Sequence, residues 1–592
     1  MIGSVDNRSL AKLFRMVAAA YVLKNENRFK IIAYEKAADA IEHSTTEAKT
    51  LWHQGKLISV PGIGPTIASH LDELFKKGKV KHFENLLKDF PPAMFVLMDI
   101  PGFGPKKAYR LVTILGIKGD KDAVASLLKA AKEGKIRQIE GFGLKSEQDI
   151  IQRLREFKKI KGKSLRMVLP YAHQLAERIL AYLKQNPYVL RAEPLGSLRR
   201  MVATIGDVDI AVVSKDAKSV LDWFSKYPGV ERILERGPQT SSILVAGGKQ
   251  IDLMVQPPES FGALLQHFTG SKTHNIHLRE YALSKGVSLS EYGIKYQKSN
   301  KVKKFATEKD FYTALGLDWI PPELREDQGE IDAALHHSLP QIIDDGDIRG
   351  DLHIHTSYDL ESSHDLGASG LKDLLKRADE IGYEYIGVSD HNPSITKHTS
   401  SQILNIIRER KQYYEHIFSS IKNTRVHLFI MLEIDILPNG ELALPEGAFE
   451  YIDAGIASVH SSFNQSQEQT TKRVLRALSH PKIKILGHPS GRLLNKREGM
   501  QLSWDKIFDF CKNKKKALEI NAYPDRLDLP DDIVRQAVAA GVKMVINTDS
   551  HHVDHMDLMD YGISVARRGW ATKADILNTL SYNKFKDWLT GR

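Results

Sequence analysis

The sequence predicts a multidomain chain: all-α at its start, α/β in its middle and a distorted (β/α)7 barrel at its end. Three observations predict it. A Gly-x-Gly turn followed by an amphipathic helix recurs three times in the first 151 residues, at a spacing of about 40. Apolar, β-branched runs bearing aspartates follow between residues 196 and 256. From Asp351 onward, short apolar strands alternate with helical stretches, the pattern of a parallel barrel. At 592 residues, 42% apolar and 27% charged, the chain has the make-up of a soluble protein of about three to five domains. It lacks a run of 18 apolar residues, so no membrane span is expected. The opening MIGSVDNRSLAKLF has no apolar core of a signal peptide. A single cysteine, Cys511, excludes an internal disulfide framework and suits a reducing cytoplasm.

The helical part comes first. Helical stretches such as 8–42 surround three related turns, VPGIGPTIASHLDEL (60–74), DIPGFGPKKAYRLVT (99–113) and IEGFGLKSEQDII (139–151). Glycine lets a phosphate approach the backbone, and the N–H groups that open the next helix then face it. Gly62, Gly64, Gly102 and Gly104 are therefore candidate DNA-binding positions, reading backbone rather than bases. Residues 1–200 carry 36 Lys+Arg against 20 Asp+Glu, whereas the remainder is slightly acidic. A polyanion-binding helix-hairpin-helix region joined to other domains is the expectation. The third copy lacks the proline and runs into an acidic helix, so a structural role is expected there.

The middle part carries GSLRRMVATIGDVDIAVVS, residues 196–214. Side chains two apart on a strand share a face, which puts Asp207 beside Asp209. Taken alone, the pair would also suit an edge strand with a solvated acidic face. Asp252, in the apolar run KQIDLMVQ, supplies a third carboxylate. Gly196 and Ser197 at a helix start, with Arg199 and Arg200 behind them, can cradle a triphosphate. Carboxylates converging on such a cradle make a two-metal site for phosphoryl transfer, with Mg2+ or Mn2+ as the ions.

The spacing GS-x-RR-x5-GD-x-D, the later ID, and HFTGSKTHNIHLRE followed by EYG (267–293) resemble the X family of DNA polymerases over residues 1–335. The resemblance implies an α/β nucleotidyltransferase palm with a thumb. It implies that Asp207 and Asp209 bind both metals and that Asp252 helps deprotonate the primer terminus. Gly196, Ser197 and Arg200 would hold the triphosphate, and Gly206 is a further candidate nucleotide-binding position. Phe268 and Gly270 would lie under its sugar, and Asn275 and Arg279 would meet the nascent pair or the template. There are departures from the pattern. Met201 stands where the family usually has glycine, and His267 where tyrosine is frequent. His70 stands where the family's deoxyribose-phosphate lyase has its Schiff-base lysine, so lyase activity is not expected, with Lys30 as a weak substitute amine.

In the last part, DLHIHTS, YEYIGVSDHN, HLFIMLEIDIL, AGIASVHSS, IKILGHPSGR, ALEINAYP and KMVINTDSHH end in or near His, Asp or Glu. Barrel active sites lie at those strand ends. The candidate ligands are His353, His355, His391, Glu433, His460, His488, Asp549 and His551. The further ligand after HIH is Asp359, His364 or Asp365, with His364 or Asp365 favoured. Mixed nitrogen and oxygen donors suit Mn2+, Zn2+ or Fe2+, and so many donors exceed one ion's shell, so a cluster of two or three ions is expected. Such clusters serve phosphoester hydrolysis. HxH, SDHN, LEIDIL, SVHS, LGHPSGR and TDSHH resemble the PHP (polymerase and histidinol phosphatase) domain across about 345–585. The resemblance implies a metal-dependent 3′–5′ exonuclease, and Arg492 is a candidate grip on the scissile phosphate.

The expected division is 1–85 and 86–160 for two helical DNA-binding domains, 161–260 for the palm, 261–335 for the thumb, 336–350 for a linker and 351–592 for the barrel. The resemblance implies gap filling on gapped or nicked double-stranded DNA with dNTPs, by a monomer in a bacterial or archaeal cytoplasm. Two alternatives differ in class: a template-independent nucleotidyltransferase, and a DNA-end-binding scaffold with an impaired polymerase site.

Overall fold

Alanines and aromatics at helical spacing in residues 7–42 form two helices rather than one. Leu10, Phe14, Val17, Ala18 and Tyr21 bury one face of Asn7–Leu23. The polar run Lys24–Asn27 then breaks the chain before Arg28–Glu42. In this computed structural model the described residues are 7–591 without 43–47, 54, 60–61, 101–102, 121, 162–165, 246–247 and 423. They form two compact units. The first runs to Arg166 and takes in Val245–Lys249 and Asn495–Arg497; the second holds Met167–Leu244, Gln250–Leu494 and Glu498–Arg592.

The first unit is helical around a core that includes Phe14, Tyr34, Leu71 and Phe83, the aromatic rings meeting edge to face. Gly64 and Gly104 are the N-caps of Pro65–Lys77 and Pro105–Ile114, each with proline in the first turn, where its missing N–H costs nothing. Gly62 is held at φ +87°, and a Cβ there would lie 3.1 Å from the carbonyl oxygen of Lys36. That turn therefore needs glycine for both conformation and space. In the third repeat, Glu147 is buried and accepts the backbone N–H and guanidinium Nε of Arg137 at 2.9 and 2.7 Å. The acidic residue of that copy braces its own hairpin.

The second unit opens with a five-stranded sheet. Its order is Arg191–Pro194, Val208–Val213, Lys249–Gln256, Thr240–Val245, Val230–Arg236. The two central strands run parallel, as their near-continuous apolar sequences require. Phe261–Thr269, Lys272–Ser284 and a three-stranded antiparallel sheet (Val287–Ser290, Gly293–Tyr296, Val302–Lys303) follow, packed on Leu278, Ile294, Phe311 and Tyr312.

The barrel is built from Gly350–Ile354, Tyr385–Val388, His427–Ile430, Leu432–Asp435, Gly455–Ser458, Ile483–Leu486, Ala517–Asn521 and Met544–Asn547. All ladders between them are parallel. His427–Ile430 and Leu432–Asp435 are one chain passage interrupted at Met431, so the described strands occupy seven positions. Closure is irregular. The ring is held by single bridges, Ile354 to Ser550 and His391 to Glu433. Across the first, Ser550 N–H donates to His353 O and His355 N–H donates to Ser550 O. This is the distorted seven-fold barrel that the sequence predicts, and its irregular joints coincide with the histidine-bearing strand ends.

Candidate active sites

Val208–Val213 is central and almost wholly apolar apart from Asp209. Asp209 and Asp252 are directly paired across the parallel ladder, so their side chains leave one face of adjacent strands about 5 Å apart at the backbone. Asp207 is placed differently from expectation. It lies on a bend one residue before the strand begins, and is exposed. It still acts on its neighbour: burial first, then the charges of Asp207 and Asp252, push the Asp209 carboxyl up to about 7, with Arg200 pulling the other way. Gln250 Nε2 donates to both oxygens of Asp252 at 3.0 and 3.1 Å, which fixes that carboxylate. Three acids gathered at the cost of mutual repulsion fit a divalent-cation site.

The cradle adjoins these acids. Gly196 starts the short helix Gly196–Arg199 at φ +58°, and a Cβ there would come within 2.5 Å of Asp209 Oδ2. Only glycine lets the Asp209 carboxylate lie against this turn. Ser197 is half-buried beside it, and Gly206 is exposed on the bend that precedes Asp207. Arg200 Nε bonds Glu326 Oε1 at 2.9 Å and its Nη1 donates to Thr269 O. Gly270 is packed against the same guanidinium, where a Cβ would lie 3.0 Å from Nη1, and the Gly270–Ser271 peptide is cis. Phe268, half-buried, meets His267 edge-on at 4.8 Å. Asn275 is oriented by Gln266 Nε2 and by His267 O, at 2.8 and 2.7 Å. Arg279 is exposed one helical turn further on, on the same face.

Of the two arginines, Arg199 is spent elsewhere. Its guanidinium donates to both oxygens of Glu308, at 2.9 and 2.6 Å, and to Thr269 Oγ1 at 2.6 Å. Glu308 also accepts Nη1 of the fully buried Arg325 at 2.6 Å. Burial opposes charge on Glu308, but Arg325 and Arg199 outweigh it and hold the carboxyl at about 2. Arg199 thus ties the cradle turn to the helix Glu308–Ala314 instead of facing a phosphate. Met201 has φ +55°, which accounts physically for the glycine usual at that position.

In the helical unit, Gly62, Gly64 and Gly104 lie in the turns just described, and Gly102 lies outside the described residues. His70 Nδ1 bonds Tyr34 OH at 2.7 Å, and its ring stacks on His82 at 5.3 Å. Burial, then His82, lowers its pKa. Lys30 is exposed and paired with Glu26 at 3.2 Å.

In the barrel, the strand ends converge. Ligand-type atoms of four overlapping sets lie within 4.8 Å of one another: His355, His391 and His551; His364, His391 and His460; His353, His355 and Asp549; Glu433, His460 and His488. Of these, His364, His391, Glu433, His460, His488, Asp549 and His551 line a cavity of about 110 Å³. His353 Nε2, His355 Nδ1, His391 Nδ1, Glu433 Oε2, His488 Nδ1 and His551 Nε2 are buried and make no aligned hydrogen bond, although Glu433 Oε2 lies 2.9 Å from His391 Nδ1 and 3.3 Å from His353 Nε2. Buried lone pairs without a partner are costly, and cations would satisfy them. Burial, then His551 and His391, push the His355 imidazole down to about 3, which keeps it neutral as a ligand must be. After HIH, both favoured residues reach the cluster. His364 adjoins His391 and His460, while Asp365 is 3.6 Å from His391 Nε2 and 3.3 Å from His551 Nε2. Asp359 does not reach it; its Oδ1 accepts Glu361 N–H at 2.7 Å.

Supporting residues passed over in the sequence surround the cluster. Asp435 accepts His364 Nε2 at 2.9 Å and His460 Nδ1 at 2.6 Å. It follows Glu433 by two residues on one strand, so the two share a face. Glu519 accepts His353 Nδ1 at 2.7 Å and the His488 backbone N–H at 2.6 Å. Asp390 takes Thr356 N–H and is paired with buried Arg410 at 2.7 Å. Arg492 does not point at the cavity. Its guanidinium donates to the carbonyls of Arg526 and Leu527, and it is Arg526 that lines the cavity, 3.5 Å from Asp549 Oδ2. Only the fold could reveal that exchange, since both arginines look alike in sequence.

Comparison with known proteins agrees with this architecture. Residues 5–80 match a helix-hairpin-helix domain, and 55–116 and 94–156 match a SAM-like helix-hairpin-helix tandem. Residues 264–326 match the DNA polymerase beta thumb, and 351–523 match the PHP domain. The fold and its two sites define a family X DNA polymerase architecture with a C-terminal PHP domain. The chain is 31% identical over 587 residues to the DNA polymerase/3′-5′ exonuclease PolX of Bacillus subtilis, covering 99% of each, and it belongs to that family. It is 25% identical to DNA polymerase lambda of Rattus norvegicus over 54% of this chain and 56% of the relative. It is 28% identical to a probable phosphatase of Clostridium acetobutylicum over 34% of this chain and 78% of the relative.

Proposed function

We propose that the chain fills short DNA gaps with its central α/β unit and trims 3′ ends with its barrel. The observation that carries the first activity is the in-register pair Asp209–Asp252 lying against the Gly196 turn. Asp207, Asp209 and Asp252 would hold the Mg2+ or Mn2+ ions that stabilise charge on the primer hydroxyl and the triphosphate. Gly196, Ser197 and Arg200 receive the triphosphate, and Gly206, on the bend before Asp207, is a further nucleotide-binding position. Phe268 and Gly270 support the sugar, and Asn275 and Arg279 monitor the nascent pair. The hairpins at Gly62, Gly64, Gly102 and Gly104 hold the strands that flank the gap through their phosphates.

In the barrel, His353, His355, His364, Asp365, His391, Glu433, His460, His488, Asp549 and His551 would hold two or three Mn2+, Zn2+ or Fe2+ ions. The orphaned imidazole and carboxylate atoms support that assignment. Arg526, rather than Arg492, is placed to meet a phosphate there. The chain works as a monomer in the cytoplasm, and no helix among its described residues is long and apolar enough to cross a membrane.

Primer extension and degradation on a single-nucleotide gap test the reading. Asp209→Ala loses extension and keeps 3′ degradation, and His355→Ala does the reverse. Loss of both activities in either variant would overturn the two-site division.

A further inference from the structure

Arg200 is the C-cap of the cradle helix Gly196–Arg199, and what holds it there includes the barrel. Arg568 ends the helix Met559–Arg568, just beyond the last histidine-bearing loop, and is only 8% exposed. Its Nη1 donates to the backbone carbonyl of Arg200 and to Glu326 Oε1, both at 2.8 Å. That same Glu326 oxygen takes Arg200 Nε at 2.9 Å. The other side of Arg568 is tied down: Nε and Nη2 are 2.8 and 2.6 Å from Asp531 Oδ2. Next to it, Arg567 Nε donates to Glu323 at 2.8 Å. One barrel helix end therefore grips both the main chain of Arg200 and the acid that orients its side chain.

The consequence concerns the nucleotide. Nε and Nη1 of Arg200 are committed to Glu326 and Thr269 O, and among the described residues Nη2 has no hydrogen-bond acceptor. A guanidinium fixed on two sides presents its remaining donors in one direction, which is what gripping a phosphate requires. Glu326 would neutralise Arg200 if it served Arg200 alone. Because the same oxygen also serves Arg568, Glu326 orients Arg200 without closing into an exclusive pair with it.

We propose that Arg568, a residue of the C-terminal barrel, is a positioning residue for nucleotidyl transfer, holding Arg200 toward the dNTP triphosphate through Glu326 and the Arg200 carbonyl. This rests on the assignment of Arg200 to the triphosphate under the proposed function. It makes the barrel part of the polymerase site, independently of the barrel's own chemistry.

The test uses the full chain with Arg568→Met, Arg568→Lys, Glu326→Gln, Arg200→Met and the Arg568→Met/Glu326→Gln pair. Gap filling is measured for dNTP KM and kcat, and 3′ degradation is measured in the same preparations. Arg568→Met raises dNTP KM about tenfold, equivalent to about 1.4 kcal/mol, with kcat within about twofold and degradation unchanged. Arg568→Lys, which keeps charge but not the fork, gives an intermediate KM. The double variant is less than additive, because the two residues share the Glu326 contact, and it exceeds Glu326→Gln only by the part that Arg568 contributes through the Arg200 carbonyl. A normal dNTP KM in Arg568→Met, with a raised one in Arg200→Met, overturns the inference and leaves the assignment of Arg200 standing. A normal KM in Arg200→Met overturns that assignment and the inference with it. Equal loss of kcat and degradation in both Arg568 variants makes the residue merely structural and also overturns the inference.

Discussion

Replacing Glu308 by glutamine tests how the palm turn is coupled to the helix Glu308–Ala314. The side chain is 5% exposed and accepts three guanidinium N–H groups, two from Arg199 and one from Arg325. Arg325 is fully buried, with its other donors on Ile320 O. Glutamine preserves the shape but leaves buried cations without a counter-charge, which costs about 3–5 kcal/mol. The pH dependence gives a second, independent magnitude. The carboxyl is held at about 2 against an ordinary value of 4.5. Burial keeps solvent from screening the pair, so the difference corresponds to about 3 kcal/mol. A carboxyl depressed in the fold stabilises above its unfolded value, and that contribution is lost as pH falls from about 4.5 to about 2. Glu308→Gln should therefore lose most stability at neutral pH, and its deficit should shrink below pH 4.5. A chain of two compact units does not unfold in one step, so local hydrogen exchange is the appropriate assay. Peptides spanning 196–205, 261–275 and 308–326 should exchange faster in the variant, while barrel peptides stay protected. A deficit under about 1 kcal/mol, or one that does not change with pH, would refute the reasoning.

Two further outcomes are expected. Met201→Gly relieves a left-handed side chain and stabilises the unit by about 0.5–1 kcal/mol, after the entropy cost of glycine. It is checked by protection of the 196–205 peptide, and faster exchange there would contradict it. Asp435→Asn leaves His364 and His460 without their carboxylate and lowers divalent-ion affinity of the barrel about 10–100-fold. A Mn2+ titration of 3′ degradation checks this, and gap filling should stay unchanged.

The sequence is legible wherever a local rule carries the chemistry. Gly62 and Gly196 are examples: each stands where a side chain would strike a carbonyl or a carboxylate, and a glycine turn before a helix announces such a place. The period of two on a strand does not account for Asp207, which precedes the strand that begins at Val208, but the same rule would have found Asp435 beside Glu433. Histidines at successive strand ends announce the cluster because a barrel gathers strand ends into one ring. What sequence does not disclose is which of two like residues a long-range contact claims. Arg199 and Arg200 are neighbours with the same donors. One is taken by Glu308, 109 positions away, and the other by Glu326, 126 away, and no pattern in the motif distinguishes them. Arg492 and Arg526 repeat the case in the barrel: one spends its donors on backbone carbonyls so that the other can line the cavity. Arg568 extends it across domains, since its acceptor lies 242 positions earlier. In each case the chemistry of arginine is evident from the motif, whereas its assignment depends on distant carboxylates and carbonyls that only the folded chain brings within reach.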